Sequence, residues 1–166
     1  LTSLTDVLAI GTTTDIATST GLAVYNRDIE ILPGDPVGVG SIDDLDAAGP
    51  YELDGVYDIT IAGNYAYVAS YDDDGVQILD ISDPTNPSGV GSITDGQNGA
   101  DELDGAISIT IAGNYAYVAS YDDDGVQILD ISDPTNPSGV GSITDGQNGA
   151  DELDGAISIT IAGNYA

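Results

Sequence analysis

The 166-residue sequence contains no Cys, His, Met, Trp, Phe or Lys, and Arg27 is its single basic residue. Without Cys, the chain can form neither a disulfide framework nor a thiolate metal site. Without His, it lacks the usual general base and the commonest nitrogen ligand for metals. Because the residue types behind most nucleophilic and acid–base catalysis are missing, we expect a protein that is not an enzyme.

Positive charge is almost absent, and the formal net charge is −28. Such a field repels nucleic-acid phosphates and anionic lipid head groups, so we expect no nucleic-acid partner. The sequence also has no apolar run long enough for a transmembrane helix, so we expect no membrane insertion. The repulsion within the chain must be relieved by salt or by bound divalent ions. A saline or calcium-bearing exterior would supply either, which favours an extracellular or cell-surface location.

A repeat with a period of fifty residues dominates the sequence. Residues 59–116 are identical to residues 109–166, and "GDPVGVGSIDD" at 34–44 echoes "TNPSGVGSITD" at 85–95. A period of this length is typical of repeat architectures such as propellers. We predict four units: a diverged N-terminal blade-like repeat at 1–50, a second repeat at 51–100, a third at 101–150, and the start of a fourth at 151–166.

Each full unit has the pattern of four short strands. Apolar and polar residues alternate with a period of two, Gly-Asn and Asp-Asp-Asp-Gly form turn signals, and no segment has apolar residues at helical spacing. In the third unit the predicted strands are Ile107–Ile111, Tyr115–Tyr121, Val126–Ile131 and Ser138–Thr144. The sequence therefore predicts an all-β chain of tandem four-stranded antiparallel, propeller-like blades, about three plus a partial fourth.

The signature "GNYAYVAS", followed by "GVQILDISDPTNP", resembles the LVIVD repeat family. The resemblance covers roughly residues 56–166, with a weaker echo at 7–44. In that echo "DIATSTGLAVYN" at 15–26 lacks both the acidic turn and the tyrosines before it. The resemblance implies β-propellers of bacterial and archaeal surfaces, mostly without a defined activity. Closed propellers need about four to eight blades, so we expect the blades of this chain to form an open array.

The segment carrying Ile157, Ile159 and Ile161 reads as a strand whose own sheet is incomplete. Its main-chain N–H and C=O groups would lie on an exposed edge, so we assign these three residues to assembly. Two explanations remain open at this point. Either further blades of a longer protein complete the sheet, or neighbouring chains complete one another by strand addition, giving a homo-oligomer or filament.

Acidic residues in the linkers between units are candidate calcium ligands, since Ca²⁺ prefers oxygen donors. The candidates are Asp95, Asp101, Glu102, Asp104, Asp145, Asp151, Glu152 and Asp154. Plain solvated loops remain the alternative. The runs Asp72–Asp74 and Asp122–Asp124 do not have EF-hand spacing, so a solvated hairpin turn is favoured there. The tyrosines of the repeat are assigned to packing between blades rather than to stacking on sugars.

These features favour a non-enzymatic extracellular structural protein, a subunit of a surface fibre or sheath joined by β-strand addition. A second hypothesis is an adhesion propeller that binds a glycan or a partner protein, of which this chain is a fragment. A hydrolase that uses acids with calcium ranks third, because identical acids in every unit argue against one unique catalytic pocket.

Overall fold

Two four-stranded antiparallel sheets make up the fold, which a computed structural model describes for residues 38–43 and 53–166. Each sheet is a meander in which strands adjacent in sequence are hydrogen-bonded neighbours. Blade 1 consists of β1 (Val56–Ala62), β2 (Tyr65–Ser70), β3 (Gly75–Asp80) and β4 (Ser88–Thr94). Blade 2 consists of β5 (Ala106–Ala112), β6 (Tyr115–Ser120), β7 (Gly125–Asp130) and β8 (Ser138–Thr144).

The turns follow from a few residues that accept unusual backbone angles. Gly63, with φ of 61°, occupies the first central position of the two-residue β1–β2 turn, which suits a type II′ geometry. Asp74, with φ of 52°, closes the acidic β2–β3 turn, since Asp tolerates the left-handed region better than most residues. After β3, Asp83 Oδ1 accepts hydrogen bonds from the main-chain N and the hydroxyl of Thr85. These bonds hold the Pro-containing loop before β4.

The all-β fold class and the four predicted strands of the third unit are confirmed, with strand ends differing by at most one residue. No helix long and apolar enough to cross a membrane is found in the described part of the chain. Most of the diverged unit at 1–50 lies outside the described residues, and the proposed division of the chain at 50, 100 and 150 stays a prediction. Residues 157–161 form no strand, because they pair with none of the eight described strands.

The main core lies between the two blades. Blade 1 contributes the side that we call its downstream face, with Tyr67, Val76, Ile78 and Ile93 all buried. Blade 2 contributes its upstream face, which consists of Ala106, Ile109, Ala116, Val118 and Leu129. Ala100 and Leu103 of the connecting linker are fully buried in the same cluster. The alternation of side chains along each strand thus gives every blade two apolar faces, one for each neighbour.

The same packing recurs on the upstream face of blade 1. Ile42 packs against a small cluster formed by Ala66, Val68 and Leu79, as Ile93 packs in the main core one unit later. A Cβ atom at Gly40 would overlap the carbonyl oxygen of Pro84, and one at Gly91 would overlap that of Pro134. Residues 38–43 therefore contact blade 1 in the way that β4 contacts blade 2, in agreement with the sequence echo at 34–44.

Candidate inter-blade acidic site

One end of the interface between the blades gathers acidic side chains from three segments. The β2–β3 turn of blade 1 supplies Asp74, the linker supplies Glu102 and Asp104, and the β6–β7 turn of blade 2 supplies Asp122 and Asp123. Hydrogen bonds from Gly105 N to Asp74 and from Asp104 N to Asp123 bring these segments together. We call this set the inter-blade acidic site.

Tyr71 and Asp122 link the acidic turns of the two blades directly. The Tyr71 hydroxyl donates a 2.7 Å hydrogen bond to Asp122 Oδ2. This bond to a carboxylate, together with some loss of solvent, raises the pKa of Tyr71 to about 12. The Tyr71 ring also lies 5.4 Å from that of Tyr57, centre to centre, in a tilted arrangement. The hydroxyl is therefore a permanent donor that joins one blade to the next.

Asp74 makes a second link from blade 1 into the start of blade 2. Its Oδ1 accepts a 3.0 Å hydrogen bond from the main-chain N of Gly105. Asp74 also shares a hydrogen bond with the carboxyl group of Asp104. Burial, followed by the negative charge of Asp74 and that hydrogen bond, raises the pKa of Asp104 to about 6. A protonated Asp104 can donate to Asp74, which lets the two acids lie side by side.

Two further acids, Asp95 at the start of the linker and Asp123 of the β6–β7 turn, accept hydrogen bonds from main-chain N–H groups of the linker. Asp95 Oδ1 accepts from the N of Leu103 at 3.1 Å, and Asp123 Oδ2 accepts from the N of Asp104 at 2.7 Å. Burial, then the charges of Asp123, Asp95 and Asp101, raises the pKa of Glu102. The Asp95 and Asp123 carboxylates thus satisfy main-chain N–H groups of the linker.

The sequence-predicted calcium ligands divide into two sets. Around Asp95 and Glu102 the acids of the first linker are brought near one another by the contact between the blades. In the second linker Asp145, Asp151, Glu152 and Asp154 are all exposed to solvent, whereas in the first linker Glu102 is half-buried. Among residues 38–43 and 53–166, no three acidic side chains adopt an arrangement that could hold a metal ion. The calcium site stays a prediction.

The solvent exposure of the tyrosines depends on whether a neighbouring blade covers them. Tyr67 in β2 is 3% exposed and belongs to the main core, and burial raises its pKa. Tyr117, which has the same sequence environment in β6, is only half-buried, and Tyr115 is 43% exposed. The packing between blades predicted for the tyrosines is therefore present for Tyr67, whose side of blade 1 is covered by blade 2.

Gln127 is a structural residue that the sequence reasoning missed. Its side chain is 1% exposed, and its Nε2 donates to the carbonyl oxygens of Ile128 and Gly141. Its Oε1 accepts from the N atoms of Asp101 and Glu102. The signal was available, because a lone amide inside the apolar run of β7 requires buried partners.

Asp58 is the second residue that was missed. Its Oδ2 accepts hydrogen bonds from the N of Ile109 at 2.9 Å and from the hydroxyl of Ser108 at 3.0 Å. The later copies carry Ser at this position, and the corresponding bond from Ile159 N to Ser108 Oγ is longer, at 3.4 Å. Asp58 is the position at which β1 differs in charge from the later copies. Its hydrogen bonds strengthen the interface between blade 1 and blade 2.

Comparison with known families identifies the repeat that builds these blades. The LVIVD repeat family matches residues 55–95 and 105–145, which enclose the strands of blade 1 and of blade 2 almost completely. The chain is an LVIVD-repeat protein. The resemblance seen in "GNYAYVAS" is therefore confirmed, and each LVIVD repeat corresponds to one four-stranded blade. No curated protein matches the chain.

Solved structures give two distant similarities. A crystal structure of a functionally unknown protein from Desulfotomaculum acetoxidans is 20% identical with a TM-score of 0.47, covering 57% of this chain and 29% of that one. A Bacteroides fragilis protein provisionally named a 6-phosphogluconolactonase is 21% identical with a TM-score of 0.46, covering 62% and 27%. The chain thus spans less than a third of either structure, and neither similarity supports an enzymatic activity for this LVIVD-repeat protein.

Proposed function

We propose that this protein is a non-enzymatic structural subunit that assembles outside the cell by adding β-strands and blades to one another. The observation that carries the proposal is the interface between blades 1 and 2. It joins two nearly identical units through different faces, so the same contact can in principle be made again by any further LVIVD blade. Assembly by such heterologous contacts gives rings or fibres, depending on whether the rotation closes.

Within the described ranges, exposed apolar side chains of blade 1 support repetition of this contact. On the upstream side of blade 1, Val56, Ile59 and Ile61 are 50%, 55% and 64% exposed. An open recess of about 570 Å³ lies there, lined by Ile42, Leu53, Val56, Ile59, Val68, Leu79 and Asp43. The residues that cover the equivalent surface of blade 2 are the downstream residues of blade 1. Exposed apolar surface of this kind is typical of interaction sites.

The segment 157–161 supports strand addition. Ile157 is 66% exposed, and residues 157–161 take part in no described sheet. In blade 2 the same sequence pairs with β6, apart from a bulge at Ile107. Unpaired main-chain groups accept a strand readily, because the added strand satisfies their hydrogen bonds. The strand can come from a second chain or from further blades of a longer protein.

The acids of the inter-blade site support a structural role and an extracellular setting. Asp74, Asp95 and Asp123 are engaged with main-chain N–H groups instead of facing a common cavity. A chain with a net charge of −28 resists compaction unless counterions are plentiful, and we expect Ca²⁺ to be one of them. An adhesion propeller that binds a glycan or partner protein is the alternative function. The half-buried Tyr117 and exposed Tyr115 are the residues that would stack on a sugar.

Electron microscopy of three purified chains tests the proposal. The unmodified chain is expected to form elongated or ring-shaped assemblies. Thr160→Pro removes a main-chain donor in the unpaired segment and should abolish them, whereas Thr160→Ala at the same position should not. Uniform monomers of the unmodified chain, or assemblies indifferent to Thr160→Pro, would refute assembly by strand addition. Saturable binding of a glycan by such monomers would favour the adhesion function.

A further inference from the structure

Tyrosine is the main oxidisable side chain of this protein. The sequence has ten Tyr and no Cys, Met, Trp or His. Cys and Met are the residues that oxidants usually attack, so their absence leaves the phenol rings as the targets of a one-electron oxidant. Phenoxyl radicals couple in pairs when two rings lie close together. The placement of each Tyr therefore decides what its oxidation produces.

Tyr57 and Tyr71 form such a pair at the acidic end of blade 1. Their ring centroids lie 5.4 Å apart, and the ring planes are tilted by 48°. The pairing of β1 with β2 shifts register between Val56 and Asp58, which makes Tyr57 the extra residue of a bulge. A bulge turns its side chain away from the regular alternation of the strand. Tyr57 is 61% exposed, so a dissolved oxidant can reach it.

Asp122 of blade 2 prepares Tyr71 for oxidation. The Tyr71 hydroxyl donates a 2.7 Å hydrogen bond to Asp122 Oδ2. A phenol gives up an electron more easily when its proton passes to a base at the same time, because no charged radical is then formed. The Asp122 carboxylate is that base, and its exposure to solvent lets it release the proton afterwards.

The backbone of blade 2 also restricts where the Tyr71 ring can react. A Cβ atom at Gly105 would come within 3.1 Å of Tyr71 Cε2, so the main chain of Gly105 lies against that ortho carbon. Coupling of phenoxyl radicals takes place mainly at the ortho carbons. Tyr71 Cε1 is therefore the carbon available to the neighbouring ring.

The pair is a feature of blade 1 and is not repeated in blade 2. Tyr121 is the copy of Tyr71, but the position of Tyr57 is occupied by Ile107. The bulge itself recurs, since the pairing of β5 with β6 shifts register between Ala106 and Ser108. The same backbone feature thus carries a phenol in one blade and an aliphatic side chain in the other. We expect coupling in blade 1 alone of these two.

We propose that Tyr57 and Tyr71 are a site of oxidative crosslinking, at which one-electron oxidants join the two rings as dityrosine within one chain. Two oxidant molecules each take up one electron. The hydroxyl proton of Tyr71 passes to Asp122 and that of Tyr57 to water. The two radicals form one C–C bond between ortho carbons, and the hydrogen on each coupled carbon then moves to the phenol oxygen, which restores both rings.

The crosslink would fasten β1 to the β2–β3 turn. It closes residues 57–71 into a covalent loop, which restricts the unfolded chain as a disulfide does. The oxidised chain should therefore have a higher melting temperature than the unmodified one. This inference goes beyond the proposed function and does not depend on assembly, because both rings belong to the same blade.

Oxidation of the dilute full chain by a photogenerated ruthenium(III) tris-bipyridine complex tests the proposal. The complex is a one-electron oxidant, and its positive charge draws it to the acidic chain. We expect blue dityrosine fluorescence in material that migrates as a single chain. Cleavage before each Asp should release peptide 54–57 joined to peptide 58–71, with two hydrogen atoms fewer than the separate peptides.

Three variants assign the residues. Tyr57→Phe keeps the ring and removes the phenol, so it should lose most of the fluorescence. Tyr121→Phe is the matched control, which removes a phenol outside the pair and should retain the fluorescence. Asp122→Asn still accepts a hydrogen bond but is a far weaker base, so it should slow the initial rate several-fold. Circular dichroism before oxidation establishes that each variant is folded.

The outcomes decide the site and the role of the acid separately. A linked pair of peptides 54–57 and 58–71 that is lost in Tyr57→Phe and retained in Tyr121→Phe would support the crosslinking site. Fluorescence that survives Tyr57→Phe, or coupling found between chains instead, would overturn it. An unchanged initial rate in Asp122→Asn would overturn the assignment of Asp122 as the proton acceptor.

Discussion

Gly91 in β4 of blade 1 lies against the carbonyl of Pro134 in blade 2 so closely that a Cβ atom would overlap the oxygen. Gly141, its sequence copy in β8, has nothing within 4 Å of the same hypothetical atom. The two glycines thus differ only in whether a further blade lies beside them.

This pair yields the first prediction. Gly91→Ala should reduce the free energy of unfolding by about 1–3 kcal/mol, because the added methyl group forces the two blades apart. Gly141→Ala should be nearly neutral in the isolated chain. Chemical denaturation of both variants measures the difference. Equal destabilisation by the two substitutions would contradict the described packing of blade 1 on blade 2.

A second prediction concerns Gln127, whose side-chain amide forms hydrogen bonds with both the linker and β8. Gln127→Leu keeps the approximate volume but removes every hydrogen bond of the side chain. The N atoms of Asp101 and Glu102 would lose their acceptor, and buried carbonyl oxygens their donor. We expect a loss of at least about 2 kcal/mol in the free energy of unfolding. A stabilised variant would show that the amide is not needed to hold the linker.

The raised pKa of Asp104 gives a pH dependence. The folded-state pKa of Asp104 is raised to about 6, whereas an unfolded chain has the ordinary value near 3.8. The folded chain therefore binds the additional proton, which stabilises it fully below pH 3.8. This contribution is lost as the pH rises through about 6. Asp104 remains accessible to solvent, so the change in stability should be small.

Asp104→Asn provides the measurement for that pH dependence. The amide carries no charge and still donates to Asp74, so melting temperatures recorded in chelator between pH 4 and 7 should lose part of their slope. Asp154→Asn, at the copy position in the second linker, should leave the slope unchanged. A variant with the original slope would show that another group takes up the proton.

Calcium is the subject of a fourth prediction. Negative charges crowd at the inter-blade site, so a divalent cation bound there should relieve their repulsion and raise the melting temperature at fixed ionic strength. The measurement compares chelator with added Ca²⁺, and Mg²⁺ serves as the control because it prefers a stricter coordination geometry. A melting temperature that chelator leaves unchanged would rule out structural calcium in the isolated chain.

Local sequence determines most of this fold, which explains how the strands could be predicted. Alternation in "ISITIA" and the Gly-Asn and Asp-Gly turns specify each hairpin within a few residues. The burial of Tyr67 but not of Tyr117 could not be predicted, because identical sequences differ only in the blade beside them. Likewise, the hydrogen bond from Leu103 N to Asp95 depends on a loop shape that composition does not reveal.

The central claim is that the contact between blades 1 and 2 is repeated between molecules. Sedimentation velocity of the unmodified chain over a series of concentrations tests it most directly, in enough salt to screen the net charge of −28. We expect species that grow with concentration in multiples of the 16.8 kDa chain. A single species of 16.8 kDa at every concentration would contradict the account.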